Sequence, residues 1–138
     1  MKVGDYVEEL GMTLGEALLT PTKIYAKACH AVLDKHSING IIHITGGGFF
    51  ENIPRIIPKG LGVKIKVGTW EAPPIFSYIQ KCGDIDQTDM FSTYNMGVGM
   101  MMIVPESEAE AVVASLRAAG ETAEVIGEIV EGEGVALC

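Results

Sequence analysis

The stretch His43-Ile44-Thr45-Gly46-Gly47-Gly48-Phe49-Phe50-Glu51-Asn52-Ile53-Pro54-Arg55 decides how this chain is read. The segment leading into it, Gly40-Ile41-Ile42-His43-Ile44-Thr45, is short, apolar and β-branched, which is the composition of a strand. The strand runs directly into three glycines. Residues 49–53 can continue as a short helix, limited by Pro54 and Pro58. A strand, a glycine loop and a helix in that order form a junction where backbone N–H groups can face an anion. Gly46, Gly47 and Gly48 leave those groups without Cβ cover, and Arg55 is the nearby cation. Glu51 and Asn52 follow closely enough to line the same pocket. The other reading is a tight turn in which backbone must approach backbone. The pattern is neither GxGxxG nor a Walker loop, because no Lys-Ser or Lys-Thr follows.

His43 and Thr45 fall on one face of the strand, since side chains repeat every two residues. Both lie near its C-terminal end, where open α/β sheets bind ligands. They are either a polar pair aimed at a substrate, or His43 is a hydrogen-bonded core residue. Further on, Asn95-Met96-Gly97-Val98-Gly99 leads into Met100-Met101-Met102-Ile103-Val104. Gly97 and Gly99 either let a ligand or another backbone come close, or mark a bulge. The apolar run after them predicts a central buried strand.

Around these motifs the periodicity alternates between helix and strand. Residues 1–20 lack a sustained period and are expected to form an arm or linker, leaving residues 21–138 as the domain. Thr20-Pro21 predicts the cap and first position of a helix over residues 21–35. Its inner face would carry Tyr25, Ala28, Cys29, Val32 and Leu33, with His30 and His36 solvated. Val63, Ile65 and Val67 alternate with Lys64 and Lys66 as a strand. Pro73-Pro74 opens a helix over residues 75–81 that Gly83 closes, and Trp70 packs with these prolines to anchor a loop. Glu106, Glu108 and Glu110 load the first turn of another helix, whose inner stripe is Ala109, Val112, Val113 and Leu116, with Gly120 as the stop. Residues 123–129 alternate as a strand, and a last short strand runs through Cys138. The expected class is α/β (α+β), a mixed β-sheet with helices packed on it.

Composition narrows the function. A chain of 138 residues is the size of one domain and can bury a core without disulfides or metal. Ten Lys and Arg against 18 Asp and Glu give a net charge of −8, which argues against nucleic-acid and anionic-membrane partners. Three cysteines without a CxxC pair argue against a disulfide framework or a zinc site, and fit a reducing cytoplasm. No His, Cys, Asp or Glu cluster has metal-ligand spacing, so no metal site is expected. The N-terminal residues lack the apolar stretch of a signal peptide, and no window approaches a membrane span.

Residues 45–55 resemble the signature of the phosphoribosylformylglycinamidine cyclo-ligase family, the aminoimidazole ribonucleotide synthetases. So do Leu14-Gly15-Glu16-Ala17-Leu18-Leu19-x-Pro21-Thr22-x-Ile24-Tyr25, Trp70-x-x-Pro73-Pro74-Ile75-Phe76 and Met90-Phe91-x-Thr93-Tyr94-Asn95-Met96-Gly97-Val98-Gly99-Met100. Gly120-Glu121-Thr122-Ala123 followed by Ile126-Gly127 completes the set. The resemblance covers the chain from about Gly11 onward and is to the C-terminal half of that family. It implies a fold that is partly ferredoxin-like. It also implies an intact enzyme that uses ATP and magnesium to close an imidazole ring in purine biosynthesis. There the amide oxygen of formylglycinamidine ribonucleotide is phosphorylated, and nitrogen attack expels phosphate.

The family's N-terminal half carries the ATP-binding segment, much of the metal-binding acid set and the main dimer interface. This chain is therefore expected to be a separate C-terminal domain that is inactive alone, pairs with such a half, and forms a homodimer. Carried onto this sequence, Thr45, Gly46, Gly47, Gly48, Asn52, Arg55, Gly97 and Gly99 would bind a phosphorylated small-molecule substrate. That phosphate would be the substrate's ribose phosphate or part of ATP. His43 and Asn95 would orient the amidine or pass protons. Some relatives have cysteine where this chain has Met96, so a thiol there has no part here. Two other readings stand beside this one: a stand-alone module binding a phosphorylated metabolite, and another ATP-using member of the same superfamily. That superfamily includes selenophosphate synthetase and thiamine monophosphate kinase.

Overall fold

The structure is a computed structural model and describes residues 2–138. In chain order the elements are β1 (Tyr6–Val7), β2 (Met12–Thr13), α1 (Leu14–Leu18), α2 (Ala26–Leu33), β3 (Gly40–His43) and α3 (Gly48–Asn52). There follow β4 (Leu61–Ile65), α4 (Pro74–Gly83), α5 (Gln87–Thr93), β5 (Met100–Ile103), α6 (Ala109–Ala118), β6 (Gly127–Glu131) and β7 (Gly134–Leu137). Short 3-10 turns cover Glu8–Leu10, Ile53–Arg55 and Glu106–Glu108. The class is the expected mixed α/β. The strands are divided among three small sheets: β1-β2, β3-β5, and β6-β4-β7.

β3 and β5 run antiparallel with Gly40 opposite Ile103 and His43 opposite Met100. β4 is the middle strand of its sheet, antiparallel to β6 and parallel to β7. The strand period of two turns Ile42 and Ile44 inward and leaves His43 and Thr45 exposed. Ile42 and Ile44 join Phe49, Ile53, Val63, Ile65, Met90, Phe91 and Met96 in one core. Phe49 and Phe91 meet edge to face with ring centroids 4.9 Å apart, and Trp70 packs against both. Such aromatic pairs add about 0.5–1.5 kcal/mol beyond the area they bury. This cluster lies directly beneath the glycine loop, so the core positions the loop.

Within the segment expected as an arm or linker, residues 2–20 carry short regular elements. Thr13 caps α1 in a capping box with Glu16, Val7 is buried, and Glu9 pairs with Lys81 of α4. The helix expected from residue 21 begins at Ala26, with Tyr25 as its N-cap. Residues 20–25 stay non-helical, and Lys23 in this segment forms an ion pair with Glu121. α4 includes Gly83, and its left-handed cap is Asp84, at φ 49°, rather than the expected glycine. α5 carries no clear signal in the sequence; its N-cap is Asp86, whose side chain accepts from the Asp89 N–H.

β5 is not a central strand. Among the described residues it pairs with β3 alone, and all four of its residues are only half-buried. Residues 121–126 form no strand, so β6 begins at Gly127. His36 is not solvated: its Nδ1 lies 3.1 Å from Glu108 Oε2 and its Nε2 lies 2.8 Å from Ser115 Oγ, which pins α2 to α6. The strand over β4, the helix ending at Gly120 (φ 93°) and the final strand β7 form as expected. No helix among the described residues is long and apolar enough to cross a membrane.

Candidate functional site

The glycine loop leaves the end of β3 and enters α3 through a turn closed by the Gly48 N–H donating to the Thr45 carbonyl at 3.0 Å. Gly47 and Gly48 both have positive φ, at 91° and 56°. The three glycines are required for different reasons. A Cβ on Gly48 would run into the carbonyl of Phe91 in α5, so that glycine serves the packing of α3 on α5. A Cβ on Gly47 would meet the Glu51 carboxylate, which curls back over the loop. Nothing lies within 4 Å of the position a Cβ would take on Gly46.

Asn52 is 3% exposed and sits behind the loop. Its Nδ2 lies within hydrogen-bonding distance of three carbonyls: Gly48 at 2.7 Å, and Thr45 and Gly46 at 3.3 Å each. In a trans peptide the N–H of one residue points opposite to the carbonyl of the residue before it. With the Thr45 and Gly46 carbonyls turned in to Asn52, the N–H groups of Gly46 and Gly47 point away from it. The sequence thus places a donor pair on the outer side of the loop and an amide clamp on the inner side.

A second loop, residues 94–99, lies against the end of β3. The Gly99 carbonyl accepts from the Ile44 N–H at 2.9 Å, which ties this loop to the strand that carries His43 and Thr45. Asn95 Oδ1 accepts from the Gly97 N–H at 3.0 Å, forming a turn on itself. Met96 and Gly97 have φ of 48° and 90°. The Trp70 indole donates to the Met96 carbonyl at 2.8 Å, so Trp70 does anchor a loop as expected, and Pro73 packs where a Cβ on Gly97 would stand.

His43 at the end of β3, Thr45, Gly46 and Gly47 in the glycine loop, and Asn95 and Gly99 in the second loop are thus brought together at one end of the strand. Arg55 is exposed on the 3-10 turn after α3, seven residues beyond Gly48. Sequence reasoning missed Tyr25. Its ring meets His43 edge-on at 6.0 Å with an interplanar angle of 67°. No motif links two residues 18 positions apart, so no sequence signal was available. A separate open groove of about 1110 Å³ has Lys23, Tyr25, Gly97 and Gly99 among its walls and Ile42 and Ile65 in its floor, and His43, Thr45, Gly46, Gly47 and Gly48 do not line it. Among the described residues no group of three or more His, Cys, Asp or Glu stands together as a metal-ion site.

A family model described as AIR synthase related protein, C-terminal domain, matches residues 2–137. The phosphoribosylformylglycinamidine cyclo-ligase of Alkaliphilus metalliredigens is 54% identical over 137 residues, covering 99% of this chain and 40% of that protein. The enzyme of the same name from Caldanaerobacter subterraneus subsp. tengcongensis is 54% identical over 132 residues, covering 96% of this chain and 39% of its own length. The chain therefore spans about two-fifths of the length of the curated relatives it matches. Among solved structures, HypE of E. coli, a hydrogenase maturation protein, superposes with a TM-score of 0.65 at 21% identity. The match covers 98% of this chain and 44% of HypE, a likeness of fold.

Proposed function

We propose that this chain, which belongs to the AIR synthase related protein C-terminal domain family, is the substrate-binding half of an ATP-dependent cyclo-ligase that makes aminoimidazole ribonucleotide. The reading is supported by the shared name of its curated relatives and by the two-fifths of their length that it spans. The observation that carries it is the outward N–H pair of Gly46 and Gly47 beside the exposed Thr45 and His43.

In this reading the Gly46 and Gly47 amides and the Thr45 hydroxyl hold the phosphate of the ribonucleotide. Asn52 holds the loop from behind, and Gly48 sets α3 against α5. Arg55 contributes positive charge to the phosphate. His43, on the exposed face of β3, carries a proton to or from the amidine, work suited to an imidazole near neutral pH. Asn95 orients the same group, and Gly97 and Gly99 let the second loop lie close to it.

ATP and magnesium are assigned to the other half of the enzyme. When bound, they supply phosphorylation of the amide oxygen. The donor set of this domain offers one carboxylate beside the glycine loop, Glu51, which fits a supporting contact and not a cage. Residues 1–20 would form the arm that joins the halves, residues 21–138 the domain proper, and the intact protein a cytoplasmic homodimer.

The test is assembly in trans. This chain mixed with the ATP-binding half of a relative should form aminoimidazole ribonucleotide only when ATP is present, and the chain alone should form none. Turnover by the chain alone, or none by the mixture once the two halves are shown to associate, would reject the proposal.

A further inference from the structure

We propose that Tyr25 is a positioning residue for His43, and that position 99 is glycine in order to admit it. The inference rests on the reading of His43 as the proton-carrying group.

His43 projects from the outward face of β3 into solvent. Among the described residues no hydrogen bond fixes its ring nitrogens, in contrast to His36, both of whose nitrogens are engaged. An imidazole that moves a proton needs a defined orientation, and most obtain it from an acceptor at the second nitrogen. Here the restraint is packing: the Tyr25 ring stands edge-on to the imidazole at 6.0 Å.

Tyr25 is itself held from three sides. Its backbone caps α2, and its carbonyl accepts from the Cys29 N–H at 2.9 Å. Its hydroxyl lies over Gly99 so closely that any Cβ there would overlap it, with the ring carbon Cζ 2.9 Å from the same point. Gly99 in turn accepts from the Ile44 N–H, one residue from His43. The start of α2, the end of β3 and the second loop therefore meet at the phenol. Tyr25 is half-buried and also lines the neighbouring groove. A misplacement of about 1 Å in a reacting group can cost roughly 100-fold in rate, so loss of this contact should register in turnover before it registers in binding.

The experiment has two parts. In the 138-residue chain, the imidazole resonances of His43 are followed by NMR. Tyr25→Leu should abolish the ring-current shift, and Tyr25→Phe should keep it. In the enzyme assembled with its ATP-binding half, Tyr25→Leu should lower kcat roughly 10- to 100-fold with little change in KM for the nucleotide. Tyr25→Phe should recover most of that loss. Gly99→Ala should reproduce the leucine effect, and should do less harm in a Tyr25→Phe background, where the overlapping hydroxyl is gone. This pair decides the matter even if the leucine variant folds poorly. Unmoved His43 resonances in a folded Tyr25→Leu chain, or additive effects of Gly99→Ala and Tyr25→Phe, would overturn the inference. Undiminished turnover by His43→Ala would instead reject the proton-carrying role, while the resonances still decide whether Tyr25 holds the ring.

Discussion

The buried side-chain amide of Asn52 donates to the carbonyl of Gly48 at 2.7 Å. The same nitrogen reaches the Thr45 and Gly46 carbonyls, so one residue sets the direction of consecutive peptide planes. Asn52→Ala leaves those acceptors unpaired in a buried place and should cost about 1–3 kcal/mol of stability. Asn52→Asp should cost more, because it removes the donor and buries a charge among carbonyl oxygens. Urea unfolding measures both. Wild-type stability in either variant would mean that the loop holds its shape without the clamp.

Alanine at Gly46 and at Gly48 should separate ligand geometry from packing. Gly48→Ala forces a Cβ onto the Phe91 carbonyl at a positive φ, and should unfold the domain or cost more than about 3 kcal/mol. Gly46→Ala meets open space and should stay within about 0.5 kcal/mol of wild type. Melting curves of the two variants make the comparison, and equal losses would contradict it.

Glu51 places its carboxylate against Gly47, on the loop that is proposed to take a phosphate. An anion binding there must displace or repel it. Glu51→Gln should therefore tighten binding of inorganic phosphate and of the ribonucleotide several-fold, most clearly at low ionic strength. Calorimetric titration at two salt concentrations checks this. Weaker binding by the glutamine variant would show the carboxylate to be a ligand-holding group.

The capping box at the start of α1 makes stability depend on acid. Backbone and side-chain hydrogen bonds from Thr13 hold the Glu16 carboxyl below its ordinary range. A depressed folded value favours the folded state above the unfolded value, and the contribution fades as pH falls through the folded one. Glu16→Gln should thus be less stable than wild type at neutral pH, and the two should converge in acid. Parallel melting curves that never converge would contradict the assignment.

The local features were the ones legible in sequence. The strand, glycine loop and short helix of residues 40–53 depend on neighbours in the chain, and so does the stop at Gly120. Thr20-Pro21 is a good local cap, yet the helix begins at Ala26 and residues 20–25 pass toward Glu121, with which Lys23 pairs. The apolar run of β5 indicated burial but not the number of neighbouring strands. His36 finds partners 72 and 79 positions away, which no periodicity encodes. Of the candidate site, the loop glycines and His43 could be read from their order. The inward commitment of Asn52 and the presence of Tyr25 could not, because each depends on how the helices dock.

The most direct measurement is an amide NMR titration of the isotope-labelled chain, assembled with an unlabelled ATP-binding half, against formylglycinamidine ribonucleotide. If the loop holds the phosphate, the largest saturable shifts fall on the Gly46 and Gly47 N–H groups, and inorganic phosphate at higher concentration moves the same two signals. Saturable binding that leaves Gly46 and Gly47 unmoved, with its shifts clustered elsewhere, would contradict the assignment and leave the glycines as a packing turn.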